Sequence, residues 1–195
     1  MEKGPSKTKK QGKTALPFES EKRFRLELMR GGAIQRRFMR QNSDTGKRVK
    51  ARFYNRMAYE LGGDFYRFSF IEEDYCLAGC FDVAGKDLSA ALVASALAAF
   101  FETLQLFKIK RKAEAINRSL NTLVRALCPE DIFVAAALVY ADFKKRRAEI
   151  YNFGFPPVYV FTGKDRPLEV PAAYPPLGIE EKTGAKKGFV MPLKK

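Results

Sequence analysis

Two apolar runs of equal length, residues 65–71 (FYRFSFI) and 75–81 (YCLAGCF), flank the acidic triplet Glu72-Glu73-Asp74. Short runs rich in aromatic residues, joined by a polar turn, predict an antiparallel hairpin. In a symmetric hairpin centred on Glu73, Tyr66 opposes Cys80, Phe68 opposes Ala78 and Phe70 opposes Cys76. Large faces small at every pair, as a packed face requires. The same register sets Asp64 directly opposite Asp82 on one face, with Cβ atoms roughly 4.5–5.5 Å apart. A bulge would slip the pairing by one residue and separate the two acids.

The segments after the hairpin suggest what covers it. Residues 88–107 (LSAALVASALAAFFETLQLF) and 111–127 (RKAEAINRSLNTLVRAL) predict two helices, the second ending before Pro129. The first is apolar enough to be tested as a membrane span, but its apolar stretch is short for a bilayer. A buried core helix is the expected reading, with no transmembrane segment. Residues 132–143 predict a strand buried on both faces, and 147–153, 158–163 and 167–170 continue a sheet. Strands, then two helices, then strands indicate an α+β or layered sandwich domain. The chain of 195 residues divides into a disordered basic leader (1–17), a linker helix and loop (18–48) and one domain (49–195). Residues 18–40 have helical composition interrupted by Gly31 and Gly32. Phe24, Leu28, Ile34 and Phe38, with Leu26, Met29 and Met39 nearby, would form an apolar stripe.

Composition narrows the chemistry. Histidine is absent, which removes His-dependent triads, HExxH zinc sites and imidazole acid–base catalysis. Three cysteines without framework spacing fit a reducing cytoplasm. Cys76 and Cys80 share one strand face, where they read as small buried side chains. The N-terminus carries no signal peptide. Residues 1–50 hold 15 of the 36 Lys/Arg and only 5 of the 22 Asp/Glu, so the net charge of +14 belongs mainly to the arm and first helix. Nothing in residues 49–195 indicates a nucleic-acid groove, and nucleic-acid binding is not expected.

Two like carboxylates held that close repel unless one is protonated or a cation lies between them. Hard oxygen ligands of this kind suit Mg²⁺ or Mn²⁺. The plainer reading is that Asp64 caps a glycine turn and Asp82 marks a strand end. After Asp82, VAGKD (83–87) is a short strand-to-helix loop in which Asp87 is placed to N-cap the helix at Leu88. That puts the acids beside a helix N-terminus, which favours anions such as phosphate. The spacing does not match a P-loop.

Several ordered motifs resemble one family. ARFYNRMAYELGGDFYRF resembles a "VGGDFYD" segment, CFDVAGKDLSAALVAS resembles "GDVSGKG.PAAL", and AIQRRFM resembles a pre-domain linker helix. INRSLNTLV, IFVAAALVYADF, YNFGFPPVYVF and PPLGI follow in the same order. The series, over roughly residues 33–180, is similar to the PPM-type (protein phosphatase 2C-like) serine/threonine phosphatase domains of the SpoIIE/RsbU class. The resemblance implies a four-layer αββα sandwich, here incomplete at the C-terminus, with two Mn²⁺ or Mg²⁺ ions between two antiparallel sheets. It implies hydrolysis of phosphoserine or phosphothreonine by a metal-activated water. The substrate would be a phosphorylated anti-anti-sigma-type (STAS) protein in cytoplasmic, sigma-factor partner-switching signalling. Matched by position, Asp64 and Asp82 would bind metal together with the backbone carbonyl of Val83, while Gly63 and Gly85 shape the site. Residues 18–40 would serve as a homodimerisation element. Arg67 stands at the second acid of "GGDFYD", and Phe155 at the histidine of "NAGHPP". A later "TDG" aspartate has no counterpart before Lys195, so the implied ligand set is incomplete. The alternative implied by these departures is a catalytically inactive, phosphatase-fold binding module.

Overall fold

The computed structural model describes residues 18–39, 49–57, 59–85, 87–163, 166–183 and 187–193. The expected leader 1–17 and loop 41–47 lie outside them. The hairpin forms as β1 (Phe65–Glu72) and β2 (Tyr75–Val83). Its register pairs Phe65 with Phe81, Tyr66 with Cys80, Phe68 with Ala78 and Phe70 with Cys76. One irregularity falls between Phe70 and Glu72, at the turn, so it leaves the other end of the hairpin in register.

The remaining elements are α2 (Leu88–Leu106), α3 (Ala113–Leu127), β3 (Val134–Asp142), β4 (Arg147–Phe153), β5 (Val158–Val160), β6 (Leu168–Val170) and β7 (Phe189–Pro192), preceded by α1 (Phe18–Met39). The main sheet has five strands in the order β1-β2-β3-β4-β7, and β5 with β6 forms a second sheet. All strand pairings are antiparallel. The sequence reading did not anticipate β7. Its four residues are largely exposed and lack the apolar alternation that marks a half-buried strand.

Strand alternation sorts the side chains between two faces. Phe65, Leu77, Phe81, Val83 and Leu138 point to the helices and join Val93, Leu97, Phe101, Ile116 and Leu120 in the main core. The other face carries Phe68, Cys76, Ala141 and Ala148, against which Val49, Ala51 and Phe53 lie. The second sheet is secured at the end of β4 by buried Asn152. Its Nδ2 donates to the carbonyls of Pro156 (3.2 Å) and Val170 (3.3 Å), and its Oδ1 accepts from the Phe155 amide (2.9 Å). The α+β class holds, with a helical layer on one face of the main sheet and a small second sheet beyond the end of β4. An outer helical layer on the second sheet is not formed among the described residues.

Long, apolar α2 is a core helix, with Ala90, Ala94, Leu97, Ala98 and Phe101 buried against the sheet. Asp87 caps it as expected, accepting the Ala90 amide at 3.1 Å.

The expectation for α1 needs correction. The helix runs through Gly31-Gly32 without interruption, because Gly32 is there for close approach: a Cβ would lie 2.1 Å from the Glu60 carbonyl oxygen. Nor does the apolar stripe make the contact. Phe24, Leu26, Met29 and Ile34 are exposed, whereas Gln35 and Met39 are buried; the Phe38 side chain lies outside the description. Beside the buried Met39, the Gln35 side-chain amide makes the contact: its Nε2 donates to the carbonyls of Gly62 (2.9 Å) and Ala91 (3.0 Å), and its Oε1 accepts the Gly62 amide (3.0 Å). Replacing Gln35 with Leu strands those backbone groups in a buried place and is expected to cost about 1–3 kcal/mol. Urea unfolding measures the loss, and faster amide exchange at Gly62 locates it; an unchanged midpoint would mean the clamp carries no stability.

Candidate metal centre

The site begins where the hairpin ends. Phe65 faces Phe81 in the register, so Asp64 and Asp82 are the next residues on each chain. Asp82 is the penultimate residue of β2 and sits opposite Ala135 of β3. Phe81 and Val83, its neighbours, are buried in the helix-side core, so alternation sends Asp82 to the other face of the sheet. Both aspartates are exposed.

Backbone contacts fix the loop that carries Asp64. Gln35 holds Gly62 from one side, and Asn55 Nδ2 donates to the Asp64 carbonyl at 2.9 Å from the other. Between them, buried Gly63 presses on the end of β2: a Cβ there would stand 3.1 Å from the Val83 carbonyl oxygen and 3.1 Å from Ala90 Cβ. The expected backbone ligand therefore borders the aspartate loop, with no side chain between. Gly85 follows at φ +105°, a left-handed conformation that glycine adopts without strain. It turns the chain from β2 into the Asp87 cap. Lys86 lies outside the described residues.

The sequence reading missed Gln35 and Asn55. Their signal was weak: a lone polar residue spaced with Gly32 and Met39 on one helix face, and an Asn within an aromatic, basic stretch.

Two expectations about neighbouring residues change. Cys76 is buried as expected, but Cys80, on the same face, is exposed, because that face opens toward the Asp64–Asp82 end. Burial pushes the Cys76 thiol up to about 11, which keeps it protonated and a poor ligand. Arg67 is buried and paired with Glu102 of α2, on the helix side of β1. The missing acid at that position is thus not a loss from the face that holds Asp64 and Asp82.

Two carboxylates and one carbonyl at the edge of a phosphate-favouring helix start fit one hard divalent cation completed by water. They are fewer donors than a two-ion centre needs, and no group of three His, Cys, Asp or Glu residues converges among the described residues. Beside Asp64, a cavity of about 530 Å³ opens between α1 and the start of β1, with Arg36, Arg37, Asn55 and Tyr66 in its lining. It offers room and positive charge near the loop that carries Asp64, although neither aspartate lines it.

The same fold recurs in solved structures. The SiaA-PP2C domain of Pseudomonas aeruginosa superposes with TM-score 0.66 at 19% identity, over 90% of this chain and 69% of that one. A structure of the RsbU and RsbW domains of Rv1364c from Mycobacterium tuberculosis gives TM-score 0.58 at 17% identity, over 70% of this chain and 37% of that one. RsbX, crystallised in complex with magnesium, gives 0.62 at 12% identity, over 79% and 73%. No curated protein matches the chain. The sequence model of Stage II sporulation protein E (SpoIIE) matches residues 72–190, which include Asp82, Val83 and Gly85 and begin after Asp64. The chain belongs to the SpoIIE family and is, by resemblance, a PPM-type serine/threonine phosphatase domain.

Proposed function

We propose that this chain is a metal-dependent protein serine/threonine phosphatase whose substrate is a phosphorylated STAS-type regulator of partner switching. The observation that carries the reading is the hairpin register, which ends at the Phe65–Phe81 pair with Asp64 and Asp82 next on each strand, together with the close approach of Gly63 to the Val83 carbonyl. Asp64 and Asp82 would hold Mn²⁺ or Mg²⁺ with that carbonyl. The chemistry such an ion supplies is Lewis acidity toward a phosphoryl oxygen and a lowered pKa for water. The residues of the chain do the positioning. Gln35 and Asn55 fix the aspartate loop, and Arg36 and Arg37 line a cavity suited to a phosphate dianion. The net change is hydrolysis: water adds to phosphorus and the serine oxygen leaves.

A second reading, a catalytically inactive binding module, is favoured by the small donor set. Phosphate release from a phosphoserine STAS protein, with and without Mn²⁺, separates the two. Release that requires Mn²⁺ and stops on chelation supports the phosphatase. Tight binding of the phosphoprotein without release supports the module and overturns the first reading. The exposed apolar side chains of α1 also support homodimerisation through this helix; sedimentation of Met29→Ser/Ile34→Ser as a dimer would refute it.

A further inference from the structure

The helical layer stops short of the sheet it covers. α3 starts at Ala113, and beyond its first turn the helix-side face of β2, β3 and β4 continues as the floor of a cavity of about 580 Å³. Tyr75, Tyr140 and Tyr151 form that floor. Cations crowd the rim from three directions: Lys110 to Lys112 before α3, Lys145 and Arg147 at the β3–β4 turn, and Lys187 ahead of β7. The lining holds six cations and three carboxylates, Glu114, Asp142 and Glu149, with Glu72 reaching Lys110 from outside it.

Two of those carboxylates are already engaged. Asp142 accepts the Lys145 amide at 2.8 Å and faces its ammonium at 3.5 Å. Glu149 accepts from Arg147 at 2.8 Å and from the Tyr151 hydroxyl at 3.2 Å. Lys110 is taken by Glu72 at 2.5 Å and lies over the Tyr75 ring. Arg111, Lys112 and Lys187 are left without a carboxylate partner among the described residues. Lys112 gives α3 no side-chain cap, and the first amides bonded within the helix are those of Ala115 and Ile116. The amides of Ala113 and Glu114 therefore add to the positive rim.

A second, independent feature borders the same wall. Asn117, fully buried, accepts the Tyr140 hydroxyl at 2.5 Å on its Oδ1, while its Nδ2 has no partner. A buried donor without an acceptor is costly, and here it stands behind a tyrosine of the cavity floor. Burial, reinforced by Glu149, pushes the Tyr151 hydroxyl up to about 12 and raises Tyr75 and Tyr140 further. The floor is therefore neutral and aromatic at any physiological pH.

We propose that this cavity binds a small phosphate-bearing molecule, its phosphate held by Arg111, Lys112, Lys187 and the first amides of α3 over a tyrosine floor. The site is separate from the candidate metal centre. Tyr75 and Asp82 lie at opposite ends of β2, roughly 23 Å apart at about 3.3 Å per residue, and face opposite sides of the sheet. A bound phosphate would tie the α2–α3 connection to Lys187, ahead of β7.

Calorimetric titration with inorganic pyrophosphate tests the proposal, using the Asp82→Asn chain without divalent metal, and the variants that follow distinguish this cavity from the one lined by Arg36 and Arg37. Lys112→Ala/Lys187→Ala removes two exposed rim cations. Arg23→Ala/Arg25→Ala removes the same charge from exposed positions on α1. The expected result is saturable binding at one site per chain, weakened about tenfold or more by the rim pair and left nearly unchanged by the α1 pair. A rise in the thermal midpoint with pyrophosphate should follow the same pattern, and circular dichroism checks that both variants fold. Absence of saturable binding at millimolar probe overturns the proposal. So does equal weakening by the two pairs, which would reduce the binding to net charge.

Discussion

Asp82→Asn should remove Mn²⁺ binding and any Mn²⁺-dependent phosphate release while leaving the fold intact. The substitution keeps the shape of the side chain and takes away its negative charge. A hard divalent cation draws its affinity from ionised oxygens, and Asp82 and Asp64 are the two carboxylates that the hairpin register brings to this end of the sheet. Loss of even an outer partner typically weakens a metal site 10–100-fold; loss of one of two carboxylates is expected to cost roughly 100-fold or more. Stability should move the other way. Asp82 is exposed, and in the proposed site it would face the Asp64 carboxylate when no metal is bound, so neutralising it would relieve repulsion. The thermal midpoint is expected to stay level or rise slightly. Titration with Mn²⁺ alongside thermal unfolding reads both. Unchanged metal affinity would show that Asp82 merely ends a strand, and a large drop in midpoint would show that its role is structural.

Much of the hairpin that carries the candidate site was legible because one physical rule generates it. A hairpin with a fixed turn has a fixed register: centring it on Glu73 set the pairs, and large against small at Tyr66–Cys80, Phe68–Ala78 and Phe70–Cys76 agreed with it. The structure reproduces those pairs, and the acids follow by counting outward. What supports the site was not legible. Gln35 lies 27 residues from the Gly62 it holds, and no local pattern reports a hydrogen bond across that separation. The helix boundaries of α2 and α3 followed from apolar composition and a cap. The packing of α1 did not, because its contact uses Gly32 and an amide in place of the apolar stripe, and amphipathic reasoning assigns the buried face to the apolar residues. The short strand β7 failed for a related reason. An edge strand that buries little carries little pattern, and it is defined by its partner β4, with pairs such as Ile150 with Phe189.

Phe81→Ala is expected to cost more stability than any other change considered above, about 3–5 kcal/mol. The ring is 2% exposed. It stacks on Phe65 at 4.4 Å and tilts against Phe101 of α2 at 5.2 Å, so it joins the hairpin to the helical layer. Truncation removes the buried ring and leaves a void between two elements that are each held by many other contacts and cannot close over it. Against a total of about 5–15 kcal/mol for a domain, that is enough to unfold a sizeable part of the population in a marginal chain. Phe68→Ala makes the matched comparison. Phe68 is equally well buried, but it belongs to the smaller cluster on the other face, where residues 49–53 lie across the sheet as an extended segment. That segment can settle into the space, so the loss there should be smaller. In urea, both variants should lower the midpoint with little change in slope, and Phe81→Ala should lower it further. The reverse order would place the principal core between the sheets. Phe81 also sets the direction of its neighbour: because its side chain is anchored toward α2, alternation turns Asp82 the other way. In the folded fraction of Phe81→Ala, Mn²⁺ affinity should therefore fall as well, although no donor atom has been touched.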